Sequence, residues 1–194
     1  NAELALLIAS NLNHSISGVV AYAPSSVSWS NTVLPYNSDE VKASWKYQKI
    51  DIQYIPMKKI KGSESEVVNM LDYWEKGLKK IDYIEKASIK VEQIKGPILL
   101  ISGNDDKVWP SSKMADMIEK RLKDNRFEFL FKNLKYDNAG HSISNNPDSK
   151  SSYQTNTITI DGKKYKYEFG GTMEGNFKAK QNARSELMKF LKEI

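Results

Sequence analysis

Two short stretches carry most of the reactive side chains of this chain. One is ISGNDDKVWPSS, where the apolar run Pro97 to Ser102 meets Gly103, Asn104, Asp105 and Asp106. The other is NAGHSIS, where Gly140 and His141 follow the strand-like stretch Phe127 to Leu134. A carboxylate after one strand and an imidazole after the next can meet above a sheet. There the imidazole takes a proton from a nucleophile, while the carboxylate fixes its tautomer and stabilises the imidazolium. Either acid alone could simply end a strand, and a lone histidine could simply sit in a loop. Their order on consecutive strand ends, with room for one helix and one strand between, favours the joint role. Asp106 is the better acid, because Pro110 lies four residues on. Asp105 suits a brace that accepts backbone N–H groups. Gly140 would let the chain turn sharply, so that the ring points back over the sheet.

The elements that would position this pair follow from periodicity. Ala2 to Asn11 reads as a helix, with Leu4, Leu7 and Ile8 on one face. Gly18 to Ala23 (GVVAYA) is a short apolar run stopped by Pro24, as in a buried strand. KYQKIDIQYIPM alternates weakly and suggests a short exposed strand or hairpin. Ser63 and Glu66 fit a capping box, and Val67, Leu71, Trp74, Leu78 and Ile81 give the helix after it one apolar face. Pro97 to Ser102 is the next strand. A helix capped by Ser111 or Ser112 follows, with Met114, Met117, Ile118 and Leu122 inward, and then the strand Phe127 to Leu134. Asp161-Gly162 between alternating runs signals a hairpin within Tyr153 to Phe169. The last helix spans about Glu174 to Lys192, with Phe177, Ala183, Leu187, Phe190 and Leu191 inward. Strands alternating with helices give an α/β fold with a mostly parallel sheet and right-handed crossovers. Ligands of such sheets sit beyond the carboxyl ends of the strands, where both loops lie.

Composition narrows the chemistry. The chain has 194 residues with 40% hydrophobic, which fits one domain with a proper core. Cysteine is absent, which excludes disulfides, thiolate metal sites and a Cys nucleophile. With only His14 and His141, a multi-histidine metal centre is not expected, and no cofactor is implied. The net charge of +5 comes mostly from lysines scattered among acids, the pattern of a solvated surface with mild attraction for anionic ligands. No nucleic-acid motif and no membrane-length apolar run is present. The interleaved Lys164, Tyr165, Lys166 and Tyr167 read as a two-faced strand rather than an RNA platform. A cysteine-free chain fits a reducing cytoplasm.

The segments AELALLIAS, VVAYAPSSV, IKGPILLISGNDDKVWPSS and AGHSIS resemble the acyl-CoA thioesterase and bile acid-CoA:amino acid N-acyltransferase family, in its C-terminal α/β-hydrolase domain. GGTMEGNFKAKQNARSELMKFL is similar to the Gly-Gly and closing helix of that family. The resemblance spans most of the chain in blocks, and is looser over Thr32 to Ala87 and Tyr153 to Phe169. It implies a single α/β-hydrolase-like domain over residues 1–194, truncated at its N-terminus, with residues 32–87 as a variable insert or lid. It implies a Ser-Asp-His triad in that chain order, with Asp106 as acid and His141 as base. The nucleophile belongs on a G-x-S-x-G elbow two positions ahead of Asn1. No such motif occurs among Ser10, Ser25, Ser26, Ser142 or any other serine here, so this stretch alone is expected to be inactive. The implied substrate is an acyl thioester or ester. Other esterase or peptidase chemistry, or a non-catalytic binding module, are the competing readings. Trp109, with Trp29 and Trp45, is placed either in an apolar acyl pocket or in core packing. The strand Gly18 to Ala23 is expected to present an open edge that a second copy or another segment covers.

Overall fold

The computed structural model describes residues 2–31, 41–57, 67–68, 70–144, 155–160 and 163–193. In chain order the elements are α1 (Ala2–Asn11), β1 (Val19–Tyr22), β2 (Lys46–Tyr47), β3 (Ile50–Asp51), β4 (Val67–Val68), α2 (Leu71–Gly77), α3 (Ile81–Ala87), β5 (Ile98–Gly103), α4 (Ser111–Asp124), β6 (Phe131–Tyr136), β7 (Thr155–Ile160), β8 (Lys163–Glu168) and α5 (Met173–Glu193). Single 3-10 turns occupy Val91–Gln93 and His141–Ser144.

The main sheet runs β1-β5-β6 with every pair parallel. β5 is its centre, and all six of its residues are buried. Ile98 and Leu100 face a layer built from Leu6 and Leu7 of α1 with Ala115, Ile118 and Leu122 of α4. Leu99 and Ile101 face Ala179, Ala183 and Phe190 of α5. A strand covered on both sides cannot alternate apolar with polar, which is why PILLIS reads as one unbroken run. Each fully buried Ile or Leu contributes roughly 1.5–3 kcal/mol of transfer free energy, so β5 dominates the core. β1 pairs only with β5 among the described residues.

A second sheet runs β4-β8-β7, and β2 and β3 form a separate pair. Both hairpin expectations hold. β7 and β8 pair antiparallel, although their turn at Asp161-Gly162 lies outside the described residues. β2 and β3 turn through Gln48 and Lys49, both at positive φ (49° and 69°). That geometry usually selects Asn-Gly, so a Gln-Lys turn is conformationally costly. Outer Lys164 and Lys166 are exposed while Tyr165 and Tyr167 are buried, the two-faced strand that the sequence implies.

Several expectations need correction. The continuous helix through Val67 to Ile81 is not formed. Val67 and Val68 make β4, parallel to Lys166 and Tyr167 of β8, because β-branched residues beside an open edge gain a ladder. α2 keeps only the Leu71–Trp74–Leu78 stripe, and Ile81 starts a separate helix with 79% of its surface exposed. The Ser63/Glu66 capping box lies outside the described residues. On α1 the buried face is Glu3, Leu6, Leu7 and Ser10, while Ile8 is exposed and Leu4 only half-buried. β6 begins at Phe131 rather than Phe127, because its partner β5 begins only at Ile98, whose N–H reaches the Leu130 carbonyl at 2.9 Å. On α5, Leu191 is exposed and Phe177 half-buried, so Ala183 and Phe190 carry its inner face.

Candidate active site

The carboxyl ends of β5 and β6 are laced together by backbone bonds. Asn104 donates to the Tyr136 carbonyl and Asp105 to the Ala139 carbonyl, both at 2.9 Å. Gly140 does not adopt the positive φ of a sharp turn. A Cβ there would lie 2.3 Å from the Phe169 carbonyl oxygen, so glycine is required by close approach, and Asn138 (φ 57°) makes the turn.

The two predicted residues meet. Asp106 Oδ2 lies 3.0 Å from His141 Nδ1. Asp106 is 4% exposed, and its other bonds are all accepted. Oδ1 takes the N–H groups of Val108 (2.9 Å) and Trp109 (3.2 Å), and Oδ2 takes the Ser111 hydroxyl (2.7 Å). Three donors in addition to the imidazole fix the carboxylate in place, and with Oδ2 as acceptor His141 Nδ1 is the ring nitrogen that donates. Nε2 then remains as the basic position. Ser111 is spent on Asp106, and Ser112 donates to Asn104 Oδ1 (2.6 Å), so neither caps α4. The expected serine cap is replaced by Pro110 at the N-cap position.

Asp105 takes the bracing role. Its carboxylate pairs with Lys107 Nζ (2.8 Å) and accepts the Gly171 N–H (2.8 Å). Burial works against ionisation, but Lys107 and the Gly171 amide outweigh it, and the carboxyl lies below its usual range. Lys107 is held above its usual value mainly by its bond to Asp105.

The strap Phe169–Gly171 crosses both loops. The His141 N–H donates to the Phe169 carbonyl at 2.8 Å, and isolated bridges join Asp106 to Gly170 and Ala139 to Gly171. Gly170 and Gly171 sit at φ +75° and +73°, where side chains with a Cβ are strained. The His141 ring makes edge contacts with Trp109 (centroids 6.3 Å apart) and Phe169 (5.8 Å).

His141 opens on a cleft of about 570 Å³. Ala2 and Ala5 of α1 form one wall, Tyr22 and Ala23 at the end of β1 another, and Trp74 and Trp109 a third. Trp109 donates from Nε1 to the Ala23 carbonyl at 3.1 Å. Ala23 holds φ +47°, which costs an alanine on the order of 1 kcal/mol and marks the strand end as strained. Trp29 and Trp45 lie away from this mouth. Trp29 is buried against Trp74 (4.8 Å), and Trp45 donates to Glu3 (2.8 Å). Among the described residues no group of three His, Asp or Glu side chains could hold a metal ion, and no helix is long and apolar enough to cross a membrane. Ser111, Phe169, Ala23 and Asn176 take part in the site without any motif to announce them. The one local signal is the Gly170-Gly171 pair.

A family model described as BAAT / Acyl-CoA thioester hydrolase C terminal matches residues 1–194. The chain belongs to this family. The α/β architecture of parallel sheet and flanking helices agrees with that membership, and the family's description supports acyl thioester hydrolase or acyltransferase chemistry for the domain. No curated protein matches the chain.

Proposed function

We propose that this domain supplies the acid and base of a serine-type acyl hydrolase or acyltransferase acting on acyl thioesters or esters. The carrying observation is the 3.0 Å contact between buried Asp106 and His141 at a cleft whose opposite wall is the first turn of α1. In this reading a serine on the turn leading into α1 attacks the acyl carbonyl. His141 Nε2 takes the hydroxyl proton and returns it to the leaving thiolate or alkoxide. Asp106 holds the ring and offsets its charge. Water or an amine then attacks the acyl-serine, with His141 again as base. Trp74, Trp109 and Tyr22 offer an apolar bed for the acyl group. Residues 32–87 are the variable part of a single domain, and Trp74 is its contribution to that bed. A neighbouring strand, from the rest of the polypeptide or from a second copy, pairs with the outer edge of β1. The cysteine-free composition fits action in a reducing cytoplasm on a small-molecule acyl substrate.

The test uses the complete polypeptide. A fluorophosphonate should label one serine, which peptide mapping should place just before Ala2, and acyl thioesters should be turned over. Labelling without thioester turnover, but with hydrolysis of small esters or peptides, would move the reading to another hydrolase activity. No labelling and no turnover would favour a non-catalytic binding module.

A further inference from the structure

We infer that Asn176 is a positioning residue for His141: from the first turn of α5 its buried carboxamide ties the backbone on either side of the imidazole into one unit. Its part in catalysis rests on the hydrolase reading above, whereas its part in holding the ring does not.

Asn176 is 0% exposed. A fully buried asparagine inside a helix is unfavourable unless its amide is satisfied elsewhere. Here both partners lie off the helix. Oδ1 accepts the Gly140 N–H at 2.8 Å, and Nδ2 donates to the Gly170 carbonyl at 3.3 Å. Gly140 immediately precedes His141. Gly170 follows Phe169, whose carbonyl accepts the His141 N–H and whose ring contacts the imidazole. Asn176 thus closes a loop through Gly140, His141, Phe169 and Gly170. The same Gly170 bridges to Asp106, so one side chain registers both members of the pair.

The helix is built to present it. Thr172 Oγ1 accepts the Gly175 N–H (2.9 Å), and the Thr172 carbonyl accepts the Asn176 N–H (2.9 Å), which fixes the first turn of α5. The fit at Gly171 is tight, since a Cβ there would meet Asn176 Oδ1 at 2.6 Å. An apolar residue at 176 would leave the Gly140 amide without its acceptor and free the histidine loop to drift. A displacement of about 1 Å at a general base lowers turnover about 100-fold.

The experiment follows the His141 Nδ1–H by NMR in the complete polypeptide labelled at histidine, with exposed His14 as the internal reference. Asn176→Ala should speed exchange of the His141 Nδ1–H at least tenfold and leave His14 unchanged. In a hydrolysis assay it should lower kcat 10- to 100-fold with KM within about twofold. Asn176→Asp keeps the acceptor for Gly140 and should restore slow exchange in large part. If Asn176→Ala does not fold, Asn176→Ser, small and polar but too short to reach Gly140, replaces it with the same expectation. Wild-type exchange at His141 in the folded Ala or Ser variant, even with a lowered Tm, would overturn the proposal. If the wild-type polypeptide hydrolyses nothing, the hydrolase reading fails, and the exchange comparison still decides the role of Asn176.

Discussion

The rim that carries Asp106 and His141 and the apolar cap beside the cleft, which meets it at Trp74, are held together by different forces. At the rim the links are hydrogen bonds and ion pairs, many of them to backbone: Asp106 to Val108 and Trp109, Asp105 to Gly171, Asn176 to Gly140 and Gly170, His141 N–H to Phe169. The cap instead is an apolar cluster of Val27, Trp29, Ile55, Met57, Met70, Trp74, Leu78, Tyr165 and Tyr167. Its polar tether is Glu3 of α1, whose Oε1 accepts the Ser28 hydroxyl (3.0 Å), the Trp29 N–H (3.2 Å) and the Trp45 Nε1–H (2.8 Å). Hydrogen bonds are directional and fix angles, whereas apolar contacts are not and tolerate repacking. The molecule therefore joins exact geometry at the acid–imidazole pair to adaptable packing in the cluster beside the cleft.

Removing either member of the rim pair should produce the largest effect and test that division most directly. In the complete polypeptide, His141→Ala should lower kcat by on the order of 10⁴-fold or more, and Asp106→Asn by roughly 10⁴-fold, with KM little changed. Asp106→Asn should also lower Tm, because an amide cannot accept all four of the contacts that the carboxylate holds. Full turnover in His141→Ala would remove the base from the mechanism and leave the rim as scaffolding.

The same contrast sets what was legible in the sequence. β5 and the acid–imidazole pair were readable because local signals coincide with their surroundings. PILLIS is apolar on both faces because both faces are covered, and Asp106 and His141 stand at strand ends in the order a triad requires. α1 was readable in extent, but its face was not. Glu3 and Ser10 are the buried polar members, and Glu3 is tolerated inside only because residues 28, 29 and 45 bring donors to it. Val67-Val68 looked helical because the stripe at 71, 74 and 78 continues its spacing. The ladder that makes it a strand comes from β8, about a hundred residues later in the chain, which no local window contains. Ser111 and Asn176 were silent for the same reason, since what they bond is decided by tertiary approach.

Trp109 stands between rim and cap, so a change there should give an intermediate effect. Trp109→Phe keeps the apolar body but loses the 3.1 Å bond to Ala23, at a cost of about 1 kcal/mol in unfolding free energy. With the clasp across the cleft gone, preference among acyl chain lengths should shift while kcat on the best substrate changes only a few-fold. A kcat collapse without any change in chain preference would assign Trp109 to the rim instead. Ala23→Gly, which relieves φ +47°, should raise stability slightly, by ~0.5 kcal/mol after the greater flexibility of glycine in the unfolded chain is counted.

The two regions should also differ in how their stability responds to pH. Burial raises the Glu3 carboxyl above its usual value despite the hydrogen bonds from Trp29, Ser28 and Trp45. Asp105 is shifted the other way by Lys107 and the Gly171 amide. For Glu3 the folded state holds its proton more tightly than the unfolded chain. Its contribution is full below the unfolded carboxyl range and is lost as pH rises through the raised folded value. For Asp105 the stability is present above the unfolded range and is lost as pH falls through the lowered value. Glu3→Gln keeps an Oε1 acceptor for the three cap donors and removes the buried charge. Its Tm should exceed the wild type at pH 8, and the difference should shrink as pH falls through the raised carboxyl value. Glu3→Ala leaves the donors unsatisfied and should lower Tm at every pH, by the equivalent of about 1–3 kcal/mol. Asp105→Asn should flatten the acid side of the curve alone. If Glu3→Gln is less stable than wild type at pH 8, then the charge itself holds the cap, and the cap is tethered electrostatically as the rim is.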